Sequence, residues 1–140
     1  KEVKASMANH GLTPYCNFHG YIPHDEARKC QFKAHLLLLI EIDSEAHKGI
    51  IPGKVFEYLQ SLRPILAIGP KDWDVAQLLP ENNSNALGTY QDKALIKSFI
   101  QNRFNHGIEI LAASDPAISK FERKNLTRAL SKIIKNLRRS

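Results

Sequence analysis

Only two cysteines, Cys16 and Cys30, occur in 140 residues, too few for a disulfide scaffold, so reduced thiols are expected. No run approaches the roughly 18 apolar residues of a membrane-spanning helix. The chain starts at Lys1 with neither a methionine nor an apolar signal segment, which reads as a cytoplasmic protein cut from a longer one. Neither an internal repeat nor a low-complexity linker divides it. The sequence has no Gly-x-Gly-x-x-Gly dinucleotide fingerprint. The stretch "GIIPGKV" (49–55) resembles a phosphate loop but has three residues between its glycines where four are needed, and Val55 stands where a magnesium-holding Ser or Thr would be. Cys16, His19, His24 and Cys30 make a poor metal set. On a strand Cys16 and His19 would face opposite ways, and Cys30 falls in mid-helix, so no metal is expected.

The composition, 43% hydrophobic and 24% charged, is that of a globular domain, and a chain of this length can bury roughly two thirds of its unfolded surface. One domain over 1–140 is expected. Twenty Lys and Arg against 14 Asp and Glu leave a net charge of +6, much of it in the tail "KFERKNLTRALSKIIKNLRRS". Such a tail suits nucleic acid, an anionic lipid, a phosphorylated small molecule or simply solvent, and basic surface alone does not choose among them. Nucleic acid is not an expected partner, because Phe121 is the only aromatic residue interleaved with those cations.

The strongest strand signal is "HLLLLIEI" (35–42), an apolar run without alternation, which predicts a central parallel strand covered on both faces. Val55, Phe56, Leu59 and Leu62 follow at helical spacing, and "PILAIG" (64–69) is a second short run, so strand, helix and strand form a βαβ unit. Further strands are predicted at "YCNFHG" (15–20) and "NALGTY" (85–90), with helices over 2–10, 23–34, 72–79 (ended by Pro80) and 92–107. A last helix is expected after Ser114, with Pro116 in its first turn, continuing with a break to Leu137. Alternating elements of this kind predict an α/β fold with an open, doubly wound parallel sheet and helices on both faces.

Ligands of such sheets bind beyond the carboxyl ends of the strands, where loops 20–24, 41–53 and 69–73 would converge. Lys54 begins the predicted helix, although a cation is disfavoured there by the unpaired first-turn amides and the helix dipole unless an anion lies close by. Glu57 sits three positions on, on the same polar face. The two side chains would serve either as a surface ion pair or as a phosphate ligand beside a carboxylate that accepts two hydroxyl groups. Diphosphate plus ribose describes a nucleotide.

The segments "NFHGYIPHDEARK", "PGKVFEYLQSLRPILAIGPKDWDVAQLL" and "FERKNLTRALSKIIKNL" together resemble the C-terminal half of a GT-B glycosyltransferase of the bacterial polysaccharide type. The resemblance implies a Rossmann-like domain that holds a nucleotide sugar. It implies that Glu57 binds the donor ribose, that Lys54 and the turn Ile51, Pro52 and Gly53 approach the donor diphosphate and sugar, and that backbone at Tyr21 and Ile22 contacts the base. Many relatives carry another glutamate eight positions before the ribose-binding one. Gly49 stands there in this chain, and Glu45 or Glu41 would replace it only in a rearranged loop.

Complete domains of this type have one or two more strands and helices before the position of Lys1, so the resemblance implies truncation at the N-terminus and a missing N-terminal domain that meets the acceptor. The catalytic residues are not identified. The implied activity is transfer of a sugar from a nucleotide diphosphate to a glycan or lipid-linked acceptor, without cofactor, in the cytoplasm, with peripheral contact at the inner face of a membrane. Alternative readings are a sugar-nucleotide epimerase of the same architecture and a non-catalytic basic interaction module.

Overall fold

The computed structural model describes residues 2–79, 85–107, 119 and 121–137. The helices are α1 (Glu2–Asn9), α2 (His24–Lys33), α3 (Lys54–Ser61), α4 (Lys93–His106) and α5 (Arg123–Leu137), and the strands are β1 (Leu37–Ile40), β2 (Ile65–Ile68) and β3 (Ala86–Gly88). The fold is α/β. Its sheet is parallel throughout, in the order β1-β2-β3, with Leu37 opposite Ile65 and Leu66 opposite Ala86. The βαβ unit expected over residues 35–69 is therefore present, with α3 as its crossover.

Parallel register puts Leu37, Leu39, Ile65, Ala67 and Leu87 on one face of the sheet. The first four of these are buried with Val55 and Leu59 of α3 and with Trp73, Val75 and Leu79, which makes this face the core. Val55 and Leu59 lie four positions apart and so share one stripe of α3. Helix α2 lies alongside α3 and is tied to it by polar side chains, Arg28 donating to the Gln60 side-chain carbonyl at 3.1 Å. Leu62 closes α3 in the left-handed region, at φ 57°, and the guanidinium of Arg63 reaches back to the Phe32 carbonyl in α2.

On the other face Leu95 of α4 packs against Gly88, where an added Cβ would meet its Cδ2 at 3.4 Å. Helices thus cover both faces. The cover on this second face is partial: Leu66 is buried, whereas Leu38 and Ile40 of β1 are each 49% exposed.

Four expectations need correction. Among the described residues β1 is an edge strand with one buried face, whereas the unbroken run of leucines predicted a central strand covered on both. Apolar composition permits a second layer but does not supply one, and α4 reaches β3 without covering β1. Residues 15–20 form no strand. Thr13–Tyr15 is a 3-10 turn with Pro14 as its second residue, Gly20 adopts φ 67°, and the segment turns toward α1, where Lys4 Nζ lies 4.6 Å from the Phe18 ring centre. The segment lacks the in-and-out alternation of a half-buried strand, since Asn17, Phe18 and His19 are exposed in succession. The stretch 72–79 contributes only a short 3-10 turn, Asp74–Gln77. Phe56, expected in the buried stripe, is 43% exposed and instead meets Phe121 edge-on at 5.8 Å between ring centres. The expected cap at Ser114, Pro116 and the stop at Pro80 lie outside the described residues.

Because the Phe56 side chain stands at the rim, Phe56→Ala should cost about 1 kcal/mol, the worth of an aromatic pair, and not the larger penalty of a core truncation. A urea titration of the two proteins would measure it, and a loss above roughly 3 kcal/mol would place Phe56 in the core after all.

Candidate functional site

The loops that leave the carboxyl ends of the three strands are fastened to one another. Trp73, 1% exposed, donates its indole N–H to the Ile50 carbonyl at 2.6 Å, and the Asp74 amide donates to the Lys48 carbonyl at 2.9 Å. These bonds join the loop after β2 to the loop after β1. The Gly69 amide donates to the Gly88 carbonyl at 3.1 Å, and the Tyr90 hydroxyl donates to the Glu41 carbonyl at 3.0 Å, which brings in the loop after β3.

Gly69 is required sterically, since a Cβ there would lie 2.6 Å from Trp73 Cε3. Gly49 is different. A Cβ there would meet Asp74 Oδ2 at 3.8 Å, ordinary contact, so space is open and a carboxylate already borders it. Neither Glu45 nor Glu41 takes that place: Glu45 pairs with Lys48 at 2.8 Å, and Glu41 Oε1 accepts the Ile42 amide.

α3 starts at this same edge. Its first bonds run from Val55 N to the Pro52 carbonyl (3.0 Å) and from Phe56 N to the Gly53 carbonyl (3.2 Å), and no side chain caps it. A helix start of this kind directs amide groups and a partial positive charge outward, beside the exposed Lys54. Glu57 does not pair with Lys54. Its Oε1 lies 3.2 Å from His24 Nε2 and its Oε2 accepts from Gln31 Nε2 at 3.1 Å, both on α2. The Gln31 amide first, and His24 second, hold the Glu57 carboxyl below the usual glutamate range. On its other side Glu57 borders a groove of about 560 Å³ between α3 and residues 121–123, with Phe56, Gln60, Phe121 and Arg123 among its walls. That volume lies within the range of small-molecule sites.

The expected site residues therefore fall into one contiguous group and one flanking pair. Ile51, Pro52, Gly53, Lys54 and Glu57 run from the loop after β1 into α3. Tyr21 and Ile22 stand just before α2, linked to Glu57 through His24; the Tyr21 side chain is fully exposed and Ile22 is half-buried. With no strand at 15–20, it is the docking of α2 on α3, not a fourth sheet edge, that sets the 20–24 loop.

Sequence reasoning missed His24, Gln31, Trp73, Asp74 and Arg123. The first two were detectable in principle, because positions 24, 28 and 31 share one face of a helix that also opposes a carboxylate and an amide. Trp73, the single tryptophan, sits in a Gly-Pro loop where an aromatic that large needs a buried partner.

The lowered carboxyl of Glu57 makes a pH dependence. A carboxylate held below its unfolded value of about 4.3 contributes stability in full above that pH and loses it as pH falls through the folded value. Wild type should therefore exceed Glu57→Gln by roughly 0.5 kcal/mol near neutrality, the scale of a half-exposed interaction. The gap should close in acid. Urea midpoints at a series of pH values would show this, and a gap that widens in acid would contradict it.

Comparison of the chain with protein-family models, curated proteins and solved structures gives no match. Among the described residues no helix is long and apolar enough to cross a membrane.

Proposed function

We propose that this chain is the donor-binding part of a GT-B type glycosyltransferase and that the anion beside Lys54 is the diphosphate of a nucleotide sugar. The observation that carries the reading is Glu57. It lies in the first turn of the helix after β1 of a parallel sheet, oriented by Gln31 and His24, and it borders a groove of ligand size. A carboxylate accepts about four hydrogen bonds in all, and one on each oxygen remains for a pair of vicinal hydroxyls.

In this reading the ribose sits at Glu57 and the base lies toward Tyr21 and Ile22. The diphosphate faces the turn Ile51, Pro52 and Gly53, with Lys54 and the first-turn amides. Those groups stabilise the charge that develops on the leaving diphosphate without calling on a metal. The donor sugar extends toward Gly49, where Asp74 supplies the bordering carboxylate. The acceptor, a glycan or a lipid-linked sugar, is met by a second domain, so the isolated chain binds donor nucleotide weakly and transfers nothing.

The test is a thermal-shift screen against UDP, GDP, CDP and dTDP, followed by chemical-shift mapping of the ligand that stabilises. At 100 times its Kd a ligand adds about 2.7 kcal/mol. Stabilisation by one of the four, with shifts at 21–24 and 49–57, is the expected result. No stabilisation by any, shifts centred on α4, or turnover of a nucleotide sugar by the isolated chain would refute the reading.

A further inference from the structure

α5 exposes a continuous apolar face. Leu126, Leu130, Ile133, Ile134 and Leu137 recur at the spacing of one helical stripe and are 46–72% exposed, and no residue of the helix is buried. Lys124, Arg128, Lys132 and Lys135 occupy the opposite side, and no Asp or Glu occurs from Arg123 to Ser140. The helix is about 22 Å long at 1.5 Å per residue, too short to span a bilayer.

We propose that α5 docks the protein in the plane of an anionic phospholipid surface. An occupant must account for both faces. A nucleic acid would engage the cations and leave the leucines and isoleucines in water. A second copy of the chain packed through the same stripe would leave both sets of cations in solvent, without a partner of opposite charge. In an apolar groove on another protein the cations, placed opposite the apolar stripe, would point away from that partner.

At a bilayer interface the apolar face sinks below the headgroups, while the cations remain within the negative surface potential, which extends about a Debye length outward. α5 begins two residues after Phe121, which packs on Phe56, and Arg123 borders the Glu57 groove, so a docked helix would hold that groove close to the lipid surface. The proposal stands on α5 alone and does not depend on nucleotide binding.

The test is flotation of the full chain with vesicles of phosphatidylcholine alone or mixed with phosphatidylglycerol. Wild type should bind the mixed vesicles and not the neutral ones. Lys132→Gln and Lys135→Gln should each lower the partition coefficient roughly fivefold. The double variant Leu130→Ser/Ile134→Ser should lower it at least tenfold; all four side chains lie outside the core, and circular dichroism would confirm that each variant is folded.

Equal partition onto neutral vesicles, or binding that survives loss of Leu130 and Ile134, would overturn the proposal. So would either of two outcomes without vesicle binding: a concentration-dependent dimer abolished by Leu130→Ser/Ile134→Ser, or salt-sensitive binding of duplex DNA that the same variant retains. No nucleotide enters the experiment, so its outcome is separate from that of the thermal-shift screen.

Discussion

Trp73→Ala is expected to lower the free energy of unfolding by about 3–5 kcal/mol, the range for removing a fully buried aromatic side chain. Three contributions act together. The indole sits in the core with Val55, Val75 and Leu79, so its loss leaves a cavity. Its packing on Gly69 disappears, and the Ile50 carbonyl loses its donor.

Because this side chain ties the loop after β2 to the loop after β1, the variant should also free residues 48–53, and with them the start of α3. Trp73→Phe separates the effects: it retains a ring over Gly69 and forfeits the N–H, at a cost of about 1–2 kcal/mol. Urea unfolding followed by circular dichroism gives both numbers, since the only tryptophan is the residue replaced. A loss below roughly 1.5 kcal/mol for the alanine variant would show that the indole does not hold the loops together.

Glu57→Ala should weaken binding of the stabilising nucleoside diphosphate by about 1.5–3 kcal/mol, or roughly 10- to 150-fold, the range for a hydrogen bond to a charged group. The carboxylate also braces α2 against α3, so a shifted helix would weaken binding as well. Pyrophosphate, which has no ribose, separates the causes. Its affinity should stay within about twofold, because Lys54 and the first-turn amides are unchanged by the substitution. Gln31→Ala, which removes one of the two ties between Glu57 and α2 and keeps the carboxylate, should retain most of the nucleotide affinity. If Glu57→Ala weakens nucleotide and pyrophosphate equally, Glu57 acts by positioning the helix and not by holding ribose.

The βαβ unit was legible because its signals are local and dense: four leucines in a row, a helical stripe, then a second apolar run. Strand limits of 37–40 and 65–68 fall inside the expected spans, as fraying at both ends of short strands would produce. What misled were features set by distant parts of the chain. Whether the face of Leu38 and Ile40 is covered depends on how far α4 extends over the sheet, and α4 begins more than fifty residues later.

Phe56 has the spacing of a core residue, yet the core is closed by Val55 and Leu59, leaving Phe56 to pair with Phe121 at the rim. In the site, the chain positions of Lys54 and Glu57 followed from helix periodicity, but periodicity also suggested that they pair with each other. The structure gives Glu57 to His24 and Gln31, a choice set by how α2 docks on α3, which the local pattern around either residue does not encode.

The strand order sets a gradient of amide hydrogen exchange. The amides of Leu37 and Glu41 donate to the Pro64 and Ile68 carbonyls, so strand alternation turns those of Leu38 and Ile40 toward the edge of the sheet that no described strand pairs with. β2 has a strand on each side, and Leu66, Ala67 and Ile68 should exchange only when the whole domain opens. Two adjacent strands of nearly equal hydrophobicity would then differ by orders of magnitude in protection, with every second amide of β1 exchanging from the native state.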